Sequence, residues 1–205
     1  MKVRLAVLGS TRGTDMQAII DAIEHKELDA EIALVFSNIA DAFILERAKR
    51  HRIETLFLDH RKFKDRKDFD RQIVVVLEKK KVDLILLIGY MRILSPYFCS
   101  EFAGRVWNIH PSLLPKHAGG MDTNVHEEVL RNKEKETGCT LHVVSEKVDG
   151  GQIIMQKKVR VLADDNADTL KERVQKAEQE VLVKAIKLFS KGKISVSGGK
   201  VRVND

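Results

Sequence analysis

Apolar positions along this chain switch between two periods, and the switching lays out an architecture. Residues 2–8 (KVRLAVL) form a β-branched and leucine-rich run that stops at Gly9, which predicts a buried first strand. The next segment, 15–25, carries Met16, Ile19, Ile20 and Ile23 at helical spacing. A helix therefore follows the strand at once. The same alternation recurs, with strands predicted at 31–36, 53–58 and 82–88 and helices at 40–51 and 68–80; Ile73, Val76 and Leu77 form the core stripe of the latter. Residues 82–88 (VDLILLI) are the most continuous apolar run, as expected of a central parallel strand buried on both faces.

Past residue 90 the pattern changes. A short helix is predicted at 98–102 behind Pro96, then a strand at 105–108 that delivers Asn108 at its end, then a helix at 123–132. Residues 140–144 alternate, with Leu141 and Val143 on one face and His142 on the other, and a second alternating run at 153–161 completes a hairpin. A long helix at 165–189 puts Leu170, Val174, Ala177, Val181 and Leu182 on its core side and leaves Arg173, Gln175 and Glu178 on other faces. The pattern as a whole predicts an α/β fold. Its sheet is doubly wound and mostly parallel, Rossmann-like in the N-terminal half, with antiparallel strands added and a long C-terminal helix. Residues 1–190 read as one domain, and 191–205 as a peripheral hairpin turning at Gly198-Gly199.

Composition narrows the class of protein. A chain of 205 residues that is 43% apolar and 32% charged fits one soluble globular domain. No apolar run is long enough to span a bilayer, and Met1-Lys2-Val3-Arg4 leads straight into a strand, so the expectation is a cytoplasmic protein with no membrane partner. The net charge of +6 comes from basic residues mixed with acidic ones, and two Tyr and one Trp make no stacking platform. Attraction of small polyanionic substrates explains that charge as well as nucleic acid would, and no nucleic-acid partner is expected. Cys99 and Cys139 have no C-x-x-C spacing, so both read as free thiols and no metal is expected. Nothing in the pattern marks an oligomer interface.

Ligands of such sheets gather beyond the carboxyl ends of the strands, and three stretches fall there: 9–15, 89–94 and 108–115. The first, Gly9-Ser10-Thr11-Arg12-Gly13-Thr14, joins a strand to a helix N-terminus, where free N–H groups and the helix dipole favour a phosphate. It is neither G-x-G-x-x-G nor G-x-x-x-x-G-K-[ST], and an ordinary turn with Thr14 as N-cap fits it equally well. The third holds Asn108 and His110, which at i and i+2 of an extended segment present an amide donor and a titratable ring to one side. Asp149, on the turn Val148-Asp149-Gly150-Gly151, offers a carboxylate where glycines allow close backbone approach. Acyl or formyl transfer to an amine uses this set. The amide and imidazolium stabilise negative charge on the carbonyl oxygen, and the carboxylate favours the imidazolium and relays the amine's proton.

With GYMRILSP at 89–96, NIHPSLLPK at 108–116, Asp149-Gly150-Gly151, Phe36-Ser37-Asn38 and Ala103-Gly104-Arg105, the chain resembles the phosphoribosylglycinamide formyltransferase family across residues 1–194. The resemblance implies a folate-dependent enzyme of purine biosynthesis whose co-substrate is 10-formyltetrahydrofolate and whose partners are small molecules. It implies a catalytic trio of Asn108, His110 and Asp149, with Asp149 raising the pKa of His110. Met91, Arg92, Ile93, Leu94 and Asn108 would contact the folate, joined by Arg66. Gly13, Thr14 and Asp15 would seat the ribonucleotide's phosphate, and Gln175 and Glu178 would reach the ribonucleotide.

Two stretches depart from the family's pattern. Thr11-Arg12-Gly13-Thr14-Asp15 stands where the family has a G-N-G-S-N-like loop, so a carboxylate replaces an asparagine. At ~4 Å it repels a phosphate by about 1 kcal/mol in water and more in a drier site, which Arg12 would offset. After Lys116 the family's P-G gives way to His117-Ala118-Gly119-Gly120-Met121-Asp122. These changes leave open a formyltransferase acting on a different amine, or a non-catalytic folate- or nucleotide-binding homologue.

Overall fold

The computed structural model describes residues 2–120, 123–197 and 200–204. Its main sheet has seven strands: β1 (Val3–Leu8), β2 (Ala30–Ser37), β3 (Thr55–Phe57), β4 (Leu84–Leu87), β5 (Val106–His110), β6 (Glu136–Val143) and β7 (Ile153–Arg160). They lie in the order β3-β2-β1-β4-β5-β6-β7. Pairing is parallel from β3 to β5 and antiparallel across β5–β6 and β6–β7, as the two periodicities predict.

Two apolar layers follow from alternation along buried strands. Leu5, Val7, Leu84, Leu86, Trp107 and Ile109 face one layer; Ala6, Leu8, Ile85, Leu87 and Val106 face the other. The first layer is closed by α1 (Thr14–Glu24), α2 (Phe43–Arg50) and α6 (Ala167–Ser190), and the second by α3 (Arg66–Lys79) and α4 (Pro96–Glu101). The stripe read for α6 is buried at all five positions, from Leu170 to Leu182. An Asn166 capping box starts this helix, its side chain accepting from Thr169 N–H while Thr169 Oγ1 accepts from Asn166 N–H. α5 (Thr123–Arg131) packs on α6.

Several boundaries differ from the sequence reading, each for a local reason. Gly13, not Thr14, is the N-cap of α1; its backbone is left-handed (φ 62°), and a Cβ there would lie 2.4 Å from Ile44 of α2. The second helix begins at Phe43 rather than 40, after a turn at 38–41. The third begins at Arg66, two residues earlier than read, because the Asp65 carboxylate caps the N–H of Asp68. β5 does not stop at Asn108 but runs on to His110, and β6 starts at Glu136 rather than 140, because antiparallel pairing with β6 and β7 extends both. The tail forms a separate antiparallel pair, β8 (Ile194–Ser197) and β9 (Lys200–Val203). The expected Gly198-Gly199 turn lies outside the described residues. Among the described residues no helix is long and apolar enough to cross a membrane.

Candidate active site

The carboxyl ends of β1, β4 and β5 open onto two adjoining cavities. One, of about 180 Å³, is lined by Met91, Arg92, Ile93 and Leu94 after β4, by Asn108 and His110 of β5, and by residues of the 142–149 segment that include His142 and Asp149. The other, of about 630 Å³, lies between the β1–α1 loop and α6, and brings together Arg12, Gly13, Thr14, Asp15, Gln175 and Glu178. Gly89, Met91, Ile109 and Pro111 line both. The two chambers thus meet beside the Asn-x-His segment.

Register explains how Asn108 and His110 come to face the same chamber as His142. Asn108 and His110 share a face of β5, and Asn108 sits directly across from His142 on β6. His142 donates from Nδ1 to the Val143 carbonyl (3.0 Å), and its Nε2 lies 3.0 Å from Asn108 Nδ2 and 3.5 Å from Asp149 Oδ1. That contact aims the amide and leaves its second N–H for a ligand. His142 was visible in the sequence only as the polar member of an alternating strand; its facing partner, 34 positions away, was not.

His110 is nearly buried, its Nδ1 3.5 Å from Asp149 Oδ2 and its Nε2 donating to the His117 carbonyl at 3.1 Å. Burial pulls its pKa below the usual histidine value; Asp149 and the His117 carbonyl push it back up only in part, and His142 and His117 add to the downward side. The expected upward push from Asp149 is therefore present but outweighed. Asp149 itself lies in the left-handed region (φ 49°) and accepts from Gly119 N–H at 2.8 Å. Burial raises its pKa, but His142, the Gly119 amide and the charge of His110 outweigh that, so it stays below the ordinary aspartate value and ionised.

The β1–α1 loop is pinned from both sides. Ser10 Oγ donates to Asn38 Oδ1 (2.7 Å) and accepts from Met91 N–H (3.0 Å), and Ser10 N–H donates to the Gly89 carbonyl. Asp15 is 8% exposed and its Oδ1 has no hydrogen-bond partner. Burial pushes its pKa up to about 7, against a hydrogen bond from Gln179 that lowers it. Arg12 is exposed, its guanidinium lying with those of Arg47 and Arg50 around the Phe43 ring.

Arg66 is the one expected site residue that lines neither cavity; exposed at the first turn of α3, its charge acts on Asp70. His126 of α5, not singled out in the sequence, lines the larger cavity. Cys99 and Cys139 are free thiols. Among the described residues no group of three or more His, Cys, Asp or Glu side chains is placed to hold a metal ion.

Fold and site define a formyl transferase, and residues 3–186 match the Formyl transferase family. Phosphoribosylglycinamide formyltransferase of Escherichia coli is 40% identical over 95% of this chain and 90% of its own length. The human trifunctional purine biosynthetic protein adenosine-3 is 41% identical over 98% of this chain, which spans 20% of that longer protein. Among solved structures, glycinamide ribonucleotide transformylase 1 from Symbiobacterium toebii superposes with a TM-score of 0.93 at 37% identity, covering 100% of this chain and 95% of that one. The chain belongs to the phosphoribosylglycinamide formyltransferase family.

Proposed function

We propose that the protein transfers the formyl group of 10-formyltetrahydrofolate to the amine of 5'-phosphoribosylglycinamide, with residues 1–190 as the transferase unit. The observation that carries this reading is the meeting of two chambers at Ile109 and Pro111, the residues on either side of His110, which with Asn108 lines the first chamber. The apolar chamber beside Met91–Leu94 suits a folate, and the α1 N-terminus suits a phosphate that would hold the amine at the shared wall.

The amine nitrogen attacks the formyl carbon, and the electron pair of the C=O bond moves onto oxygen. The free N–H of Asn108 stabilises that charge. His110, held below its usual pKa, is neutral near pH 7 and takes the proton that the amine loses as the adduct forms. The new imidazolium is stabilised by Asp149 and stands beside the oxyanion. Collapse breaks the bond to the folate nitrogen, which leaves with the proton returned by His110. No covalent enzyme intermediate is needed, because the substrate itself brings the nucleophile.

Turnover of purified protein with both substrates, followed by the absorbance change on release of tetrahydrofolate, tests this reading. No formyl transfer to phosphoribosylglycinamide would overturn it. The buried Asp15 favours one second reading, a formyltransferase of the same group acting on a different amine. Transfer to another phosphorylated amine or an amino-sugar nucleotide at a higher kcat/KM would select it.

A further inference from the structure

We propose that His117 is a positioning residue for the catalytic pair: its side chain, clamped between two glutamates, fixes the turn whose backbone holds both His110 and Asp149. His117 Nδ1 lies 3.0 Å from Glu128 Oε2 on α5, and Nε2 lies 2.8 Å from Glu134 Oε1 just beyond that helix. The imidazole side chain is 7% exposed. The residue adopts φ 56°, a backbone conformation that side chains other than glycine's rarely take and that needs outside support to persist.

From this anchor the chain gives one hydrogen bond to each member of the pair. The His117 carbonyl accepts from His110 Nε2 at 3.1 Å, and two residues on, the Gly119 N–H donates to Asp149 Oδ2 at 2.8 Å. Between themselves His110 and Asp149 are 3.5 Å apart, so the turn supplies closer contacts than the pair makes alone. The carbonyl favours the protonated form of His110, and the amide favours the ionised form of Asp149. The stem of the turn is held separately, Ser112 Oγ donating to the Lys116 carbonyl and Lys116 N–H to the Leu113 carbonyl. Losing the clamp should therefore loosen the turn without unravelling the loop.

The charged and titratable groups involved come from several elements. His110 faces Asp149, His142 and His117, while His117 faces Glu128 and Glu134, the latter also paired with Lys116. Burial opposes a charge on His117, yet both glutamates together hold its pKa above the usual histidine value. The inference rests on formyl transfer for what His110 does, but not for how it is held.

The test is His117→Phe, with Glu134→Gln as a milder second variant and His117→Arg as a rescue, since a guanidinium can bridge both carboxylates. For His117→Phe we expect kcat about 100-fold lower with both KM values within about threefold. The pH limb that His110 sets should move to lower pH, together with the NMR titration of the His110 ring. Glu134→Gln should be intermediate, and His117→Arg should recover most of the loss. A kcat within about twofold of the parent, or a lowered kcat with unmoved pH limbs and an unmoved His110 titration, would overturn the proposal. If the parent fails to formylate phosphoribosylglycinamide while His117→Phe still shifts the His110 titration, the substrate assignment falls and the positioning role stands.

Discussion

The two chambers of this site are built to different standards of electrostatic completeness. On the side of the proposed chemistry Asn108, His110, His142 and Asp149 all have a partner, and the Asp149 carboxyl accepts from a backbone amide and stays below the ordinary aspartate pKa. On the other side Asp15 is buried with an unpartnered oxygen and its pKa pushed up to about 7, in the chamber proposed for the ribonucleotide. A finished hydrogen-bond network pre-organises chemistry, whereas an unsatisfied carboxyl leaves a group whose charge depends on pH and on what binds. The chamber proposed for the chemistry thus has its polar groups paired, the chamber proposed for the ribonucleotide keeps one unpaired carboxyl oxygen, and the His117 turn lies against the first.

The largest test of that contrast is His110→Ala. It should lower kcat about 1000-fold, in the range of a lost acid–base group, while folate affinity measured by fluorescence or calorimetry stays near the parent value. An unchanged kcat would mean that the finished network is structural only.

Asp15→Asn addresses the other half. The folded pKa of Asp15 is raised from 3.8 to about 7, so its contribution to stability is present at acid pH and is lost as pH rises through about 7. The total is on the order of 4 kcal/mol, falling between about pH 4 and pH 7. The asparagine variant has no proton to lose, so its denaturant midpoint should lack this decline and exceed the parent's above pH 7. The same variant should bind the ribonucleotide about fivefold more tightly at pH 8, the size of one removed repulsion at ~4 Å in water. Parallel stability curves for the two proteins would show that Asp15 is not strained by its charge.

A smaller effect is expected for His142→Phe, which keeps a ring against β5 but removes the acceptor for Asn108. Its kcat should fall about tenfold, the worth of one hydrogen bond that aims the amide. Smallest of all is Arg66→Ala. Because Arg66 lines neither chamber, the folate Kd should change by less than about twofold, the scatter of ordinary surface substitutions. A large loss would bring α3 back into the folate site.

Much of the frame was legible along the chain because it depends on period alone. The runs at β1 and β4, the buried stripe of α6 and the shared face of Asn108 and His110 follow from spacings of two and of three to four residues. The turn that carries Asp149 was legible through the glycines beside it, where a Cβ at Gly151 would lie 1.7 Å from the Val143 carbonyl oxygen. Arg66, expected beside the folate, lines neither chamber: a charged stretch says which residues face water but not which cavity they face. His117 and His142 were passed over because their partners, Glu128, Glu134 and Asn108, are supplied by segments 11 to 34 positions away.

By itself, then, the sequence determined which side chains share a face, where each strand hands over to a loop, and which catalytic types arrive at one rim. Those are local properties, set by backbone geometry and by the burial of apolar positions. Only the tertiary structure decided the charge state of Asp15, the downward pull on His110, the aim of Asn108 and the clamp on His117. Such properties depend on desolvation and on partners brought in by distant segments. A pKa or a hydrogen bond belongs to the environment of a side chain, and that environment exists only once the chain has folded.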